Sequence, residues 1–151
     1  MCFINGFNIR FNNNEMGREQ KASFGIMNKL NEFRTVANLE TLTWNSLETS
    51  SDWKPEDNVW WYNLSFDQET GQGSYLYKMG AGARSNPHEH TGPEEFFVLE
   101  GDLIDSDGYE YTKGDFVSLA GGSRHDSFSP SGCVLVVTHR GVVISLGKSD
   151  L

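Results

Sequence analysis

Short strand-forming segments separated by turn residues recur from residue 59 onward, and the pattern is clearest after Gly73. Glycines, an Asp-Gly pair and a Ser-Gly pair lie between these segments, and such residues favour tight turns. The segments span residues 59–66, 74–79, 96–100, 103–104, 109–112, 116–119, 125–129, 133–139 and 142–146. Eight or nine short strands with little helix predict an all-β sandwich or barrel, which leaves few strand edges exposed.

The chain length of 151 residues predicts one structured domain. The first 27 residues are polar and rich in Asn, whereas apolar positions over residues 28–43 have a partly helical spacing. We therefore expect an N-terminal arm over residues 1–40 that is loosely structured or forms a short helix. The single domain is expected over residues 41–151.

The formal net charge of −9 disfavours binding to nucleic acid or to an anionic membrane surface. The sequence has no apolar run of about 20 residues and no basic, apolar N-terminal signal, so we expect a cytoplasmic protein. Its two cysteines, Cys2 and Cys133, are far apart in sequence and are interpreted as reduced thiols, with Cys133 a small core residue. A metal ion, a small-molecule substrate or another protein remains as partner.

Two histidines and a nearby acid form a candidate metal site. His88 and His90 stand at alternate positions, so on a strand both side chains point to one face and Glu89 points to the other. Glu94 and Glu95 open an apolar strand, which places one of them on its inner face. A buried carboxylate is costly unless it is paired or bound to a cation.

His125 follows a Gly-rich loop and begins a later short strand, and we predict it as a further ligand. Neutral imidazoles with one carboxylate suit a divalent ion of Fe, Mn, Ni, Cu or Zn, whereas Ca²⁺ and Mg²⁺ prefer oxygen ligands. His139 ends an apolar strand beside Arg140 and is interpreted as a partly exposed residue without a site role.

Four residues are candidate substrate contacts. Phe96 and Val98 share the strand parity of Glu94, which predicts an apolar wall near the metal. Tyr75 and Tyr77 share a face of another strand and either line the mouth of the pocket or serve ordinary packing.

The spacing of these residues resembles the cupin superfamily. The first cupin motif is present in register, as Gly82, His88, His90, Glu94 and Gly101. The second motif is partial, as Gly114, Ala120, Gly122, His125 and Ser129, with Ala120 in place of the usual Pro and Ser129 in place of the usual Asn. The departures affect a turn and a strand end rather than a ligand. The register also selects Glu94 over Glu95, because six residues separate Glu94 from Gly101.

The run from Gly80 to Gly141 is most similar to the ChrR-like cupins, which occur in the C-terminal half of some anti-sigma factors and as free-standing proteins. The resemblance implies an RmlC-like jelly roll (a double-stranded β-helix) and a homodimer. It also implies one divalent transition metal, Fe(II) or Zn before Ni, Mn or Cu. The ligands would be His88, His90, Glu94 and His125.

Two functions follow from this resemblance. The first is a non-heme, Fe(II)-dependent, dioxygenase-like oxidoreductase acting on a small chelating substrate such as a diketone, enol or hydroxyketone. The alternative is a non-catalytic zinc-binding sensory or regulatory cupin. Residues 1–40 contain one Cys and no His. This argues against the presence of the zinc-binding domain with which an anti-sigma factor binds its sigma factor.

Overall fold

The computed structural model describes residues 30–46 and 58–147. Described residues up to 36 belong to a separate unit from those that begin at residue 37. In the first unit a single turn of 3-10 helix spans Asn31–Phe33, and none of its residues is buried. The rest of the predicted arm, up to residue 29, lies outside the described residues. No described helix has the length and apolarity to cross a membrane.

Within its described residues, 37–46 and 58–147, the second unit has eleven strands, which pair antiparallel. They are β1 (Asn45–Ser46), β2 (Val59–Asn63), β3 (Gln72–Met79), β4 (His88–His90), β5 (Glu94–Asp105), β6 (Glu110–Thr112), β7 (Phe116–Leu119), β8 (Arg124–His125), β9 (Ser127–Phe128), β10 (Cys133–Arg140) and β11 (Val143–Ser145). The predicted all-β jelly-roll class is confirmed, with the Gly-containing segments serving as the turns between strands.

Eight of the strands form one large sheet. Its order is β1-β2-β3-β10-β5-β6, and β7 and β9 also pair with β5. The first half of β5 lies between β10 and β7, whereas its second half pairs with β6 and β9. A register shift between β5 and β10 at Val134/Leu135 marks a bulge, which bends the sheet towards closure.

One prediction about β5 is wrong. The turn residue Gly101 predicts the end of one strand and the start of another at Leu103, but a single strand runs through both positions. Gly101 has a φ of 77°, and a Cβ at this position would collide with the backbone of Gly132. The glycine therefore allows the strand to continue past a close neighbour rather than ending it.

The core lies on the inner face of the large sheet. Phe96, Val98, Leu135 and Val137 are at most 4 % exposed, at alternate positions of β5 and β10. Burying each such side chain stabilises the fold by about 1.5–3 kcal/mol. Cys133 is also buried there, as predicted, and burial raises the pKa of its thiol to about 11.

The remaining three strands form a small sheet in the order β11-β4-β8. Its strands are two or three residues long, and Val143 and Ile144 on β11 are exposed. His88 of β4 lies directly opposite His125 of β8. The small sheet therefore brings two distant parts of the chain together at one point.

Candidate metal centre

Three imidazole rings of the small sheet meet on its inner face. The ring centroids of His88 and His90 are 4.6 Å apart, and those of His88 and His125 are 4.5 Å apart. The Nε2 atoms of His90 and His125 are separated by 2.9 Å. Glu89 lies on the opposite face, where it pairs with Arg124 at 2.8 Å. The alternation predicted for residues 88–90 is therefore present.

Glu94 joins the three rings from the large sheet. Its side chain is buried, and its Oε2 atom lies 3.2 Å from His90 Nε2 and 3.5 Å from His125 Nε2. Glu95 is on the other face of β5 and pairs with Arg140 at 2.7 Å. Of the two neighbouring acids, Glu94 is the one that lies at the cluster.

Hydrogen bonds orient two of the rings. His88 Nδ1 is 2.6 Å from the backbone oxygen of Asn86, and His125 Nδ1 is 3.2 Å from Asp105 Oδ1. An imidazole that donates its Nδ1–H in this way keeps an electron pair on Nε2 for a metal. Burial and the neighbouring His125 lower the pKa of His88 to about 4, so its ring is neutral at pH 7.

Asp105 is a site residue that the sequence motifs do not indicate. Its carboxylate also accepts hydrogen bonds from Ser127 Oγ at 2.6 Å and from the Tyr111 hydroxyl at 3.0 Å. Burial alone would raise the pKa of Asp105, but the hydrogen bonds from His125 and Ser127 outweigh it and lower that pKa. The turn signal Ser106-Asp107-Gly108 directly after Asp105 favours a place in the hairpin turn, although Asp105 shares the inward parity of Leu103.

His139 is a second missed residue, and the prediction that it is partly exposed is wrong. It is 5 % exposed, and it faces Glu94 across the β5–β10 ladder. Its Nε2 atom lies 3.0 Å from Glu94 Oε1 and 3.3 Å from the hydroxyl of Tyr75. His139 stands at the same alternate positions of the strand as the buried residues Leu135 and Val137, and this sequence signal indicates an inward side chain.

The donor set fits a divalent cation. Ligands that bind one ion at about 2.1 Å and at right angles to each other lie about 3 Å apart, close to the spacing of His90, His125 and Glu94. Burial would raise the pKa of Glu94, but His139 and His90 outweigh it and hold that pKa below its usual range. Glu94 Oε2 is nevertheless buried without a hydrogen bond from any described residue, and a bound cation would satisfy it.

His88 and His139 extend this donor set on two sides. The ligand atoms of His88, His90 and His125 lie within 4.8 Å of one another, and so do those of His90, Glu94 and His139. The four predicted ligands are thus brought together, with His139 as an additional neighbour.

A cavity of about 630 Å³ opens onto the cluster. Its aromatic and aliphatic walls include Trp61, Phe66, Tyr75, Tyr77, Met79, Phe96, Leu103, Leu135 and Val137. Three of the four candidate substrate contacts therefore line it, whereas Val98 is fully buried in the core and lies outside the lining. Burial raises the pKa of Tyr75 and Tyr77, so both hydroxyls are neutral. Cavities of this size and polarity accept small organic molecules.

Residues 34–143 match the ChrR Cupin-like domain family. The chain belongs to this family. The resemblance noted in the sequence is thereby confirmed, and the histidines and Glu94 described above lie within the matched region of this cupin.

Solved structures similar to this cupin share its fold at low sequence identity. One is an RmlC-like cupin protein from Ralstonia eutropha JMP134, with 18 % identity, a TM-score of 0.63, and 81 % of this chain and 79 % of that chain covered. An acetylacetone dioxygenase from Acinetobacter johnsonii has 18 % identity and a TM-score of 0.57, with 78 % and 88 % covered. A cupin-like protein from Thermotoga maritima MSB8 has 23 % identity and a TM-score of 0.59, with 71 % and 88 % covered. No curated protein matches the chain.

Proposed function

We propose that this cupin binds one divalent transition metal ion through His88, His90, Glu94 and His125, and that it is an Fe(II)-dependent, dioxygenase-like enzyme. The observation that supports the metal site is Glu94 Oε2, a buried carboxylate oxygen that faces two imidazole nitrogens and has no hydrogen bond from the described part of the chain. A buried carboxylate oxygen that accepts no hydrogen bond carries a desolvation cost, which a bound cation would offset.

The bound ion, the residues that orient its ligands and the cavity walls would have different roles at this site. Bound Fe(II) would supply the redox chemistry that O₂ requires, with about two of its six positions left open by four protein ligands. His88 and His125 are held in the ligand tautomer by Asn86 and Asp105. The apolar walls of the cavity exclude water from the reacting molecule.

The cavity favours an uncharged chelating substrate. Its described lining contains no Lys or Arg that would pair with a carboxylate or phosphate. The nearby Arg84 is engaged by Asp126 at 3.0 Å, and its guanidinium lies 5.2 Å from the ring centre of Phe128. A diketone, enol or hydroxyketone would present two oxygens to the metal and its carbon skeleton to the apolar walls. The fold shared with an acetylacetone dioxygenase supports the same class.

The second candidate is a non-catalytic zinc-binding sensory or regulatory cupin. It is favoured by the match to the ChrR Cupin-like family, since ChrR-like cupins also occur in the C-terminal half of some anti-sigma factors. Both candidates use the same four ligands, so they differ in the ion that is held and in reactivity towards O₂.

Metal analysis combined with oxygen uptake separates the two candidates. The purified protein would be stripped, reloaded anaerobically with Fe(II) or Zn, and mixed with acetylacetone, other β-diketones and hydroxyketones. We expect oxygen uptake with Fe(II) and at least one substrate, and none with Zn. Tightly held zinc with no uptake under any metal would favour the sensory cupin.

A matched pair of variants tests the site itself. Glu94→Gln removes the buried carboxylate and should abolish stoichiometric metal binding. Glu95→Gln changes only the neighbouring acid, which pairs with Arg140 on the other face, and should bind metal as the wild type does. Equal metal content in the two variants would contradict the assignment of Glu94.

The assembly state is a separate proposal. The homodimer rests on the family resemblance, and light scattering after gel filtration should give twice the 17.0 kDa mass of the chain. A monomer mass would rule the dimer out and leave the metal proposal unchanged.

A further inference from the structure

We propose that His139 is a positioning residue that restricts Glu94 to binding the metal through one oxygen, Oε2. This inference rests on the proposed metal site and goes beyond its four ligands. It assigns a task to a buried histidine that neither the cupin motifs nor the proposed reaction uses.

The two oxygens of Glu94 have different neighbours. Oε1 lies 3.0 Å from His139 Nε2, whereas Oε2 lies 3.2 Å from His90 Nε2 and 3.5 Å from His125 Nε2. Carboxylates can bind a metal through one oxygen or through both. A hydrogen bond from His139 to Oε1 occupies that oxygen and leaves Oε2 as the one directed at the cluster.

The geometry distinguishes positioning from direct ligation. A nitrogen that donates its N–H to a carboxylate has no electron pair available for a metal on the same atom. His139 Nε2 is closer to Glu94 Oε1 than to the Tyr75 hydroxyl, and its Nδ1 atom is buried without a hydrogen bond from a described residue. The shortest polar contact of the ring is therefore the one with Glu94. Its Nδ1 atom has no hydrogen-bond partner among the described residues.

Aromatic neighbours hold the His139 ring in this orientation. The ring of Tyr75 packs edge-on at 5.4 Å between centroids, and that of Phe66 at 5.9 Å. The backbone ladder between β10 and β5 sets His139 opposite Glu94. Both the side chain and its strand are thus fixed with respect to the carboxylate.

Binding through one oxygen also affects how many coordination positions of the metal remain for a substrate. A carboxylate that binds through one oxygen occupies one coordination position, whereas a chelating carboxylate occupies two. His139 would therefore keep free one of the positions that a substrate with two oxygens requires. We infer that the residue protects the capacity of the site to accept a chelating ligand.

The Co(II)-loaded protein provides the test, because the visible absorption of Co(II) weakens as its coordination number rises. His139→Phe removes the donor and keeps an aromatic ring. We expect weaker visible bands and a Co(II) affinity reduced by about 10–100-fold, the usual effect of losing a partner that orients a ligand. His139→Gln, whose amide can still donate to Oε1, should restore both properties towards the wild type.

Thr138→Val is the matched control, since Thr138 neighbours His139 but bonds to Ser74 on the other face of β10. It should leave the affinity and the spectrum unchanged. An unchanged affinity and spectrum in His139→Phe would overturn the inference. So would the loss of one metal-coordinated imidazole, counted from the shifted N–H signals of Co(II)-bound histidines by NMR, because His139 would then be a ligand.

The wild type alone supplies a second test if His139→Phe does not fold. The difference infrared spectrum of ¹³C-carboxyl-Glu-labelled protein, with and without Co(II), separates one-oxygen from two-oxygen binding. We expect the band separation of one-oxygen binding, and a chelating signature would overturn the inference while leaving the metal site intact. A wild type that binds no Co(II) would instead overturn the proposed metal site, and this inference with it.

Discussion

The large and the small sheet are held together by different forces, although both supply groups to the same site. β5 and β10 of the large sheet have 12 and 8 residues and carry much of the apolar core. β4 and β8 of the small sheet have 3 and 2 residues, and their buried side chains are His90 and His125. The large sheet is thus stabilised by apolar burial, whereas the small sheet depends on polar contacts.

A metal ion would connect the two sheets. His88, His90 and His125 come from the small sheet, and Glu94 comes from the large one. A cation bound by all four residues would therefore stabilise the weaker sheet by attaching it to the stronger one. The following predictions test this difference, from the largest expected effect to the smallest.

Leu135→Ala should produce the largest loss of stability, because it removes a buried apolar side chain from the inner face of the large sheet. Leu135 is 4 % exposed, and removing such a side chain typically costs about 2–5 kcal/mol in the free energy of unfolding. Urea unfolding of the metal-free protein measures this cost. Val136→Ala, at a half-buried position on the other face of β10, is the control. A loss below about 1 kcal/mol for Leu135→Ala would contradict apolar burial as the main support of this sheet.

His88→Ala should remove most of the stabilisation that metal confers. A ligand at 100 times its Kd stabilises the folded protein by about 2.7 kcal/mol, and the variant should lose this gain. Thermal unfolding with and without Zn or Co(II) measures the difference. Glu89→Ala, the adjacent change on the outer face, should keep the gain. If both variants were stabilised equally by metal, His88 would not be a ligand.

Asp105→Asn should weaken metal binding without removing a ligand. The amide cannot accept the His125 Nδ1–H as well as the carboxylate does, and loss of such a partner commonly costs about 10–100-fold in affinity. Competition with a coloured chelator measures the change. Asp107→Asn, in the exposed turn that follows, is the comparison variant and should match the wild type. An unchanged affinity in Asp105→Asn would show that Asp105 serves folding alone.

Arg124→Ala should have the smallest effect. Arg124 pairs with Glu89 on the outer face of the small sheet, and an exposed pair of this kind contributes about 0–1 kcal/mol. Chemical unfolding at low and high salt measures the contribution, which should decrease as salt is added. A loss above about 2 kcal/mol would show that the small sheet depends on its outer face more than on its inner one.

The parts of the structure that depend on local signals could be predicted from the sequence. Turn glycines and the alternation of apolar residues located most strands, and motif spacing located His88, His90, Glu94 and His125. Strand parity with Leu135 and Val137 indicates an inward side chain for His139, but its contact with Glu94 depends on the register between β10 and β5, which is a long-range property.

Two further errors have the same origin. Asp105 stands before Ser106-Asp107-Gly108, and the strong turn signal concealed its inward direction at the end of β5. Gly101 resembled a strand end because glycine is usually a turn residue, yet the approach of Gly132 is what requires it. The residues that decide these two cases are His125 for Asp105 and Gly132 for Gly101, and both lie much later in the chain.

The groups that orient the His88 and His125 rings differ in how easily a mutation can change them. His88 is oriented by a main-chain oxygen of Asn86, which every amino acid at that position would also supply. His125 is oriented by the side chain of Asp105, which a single codon change can replace. A point mutation could therefore change the basicity of the proposed ligand His125, whereas that of His88 would change only if the backbone at Asn86 moved.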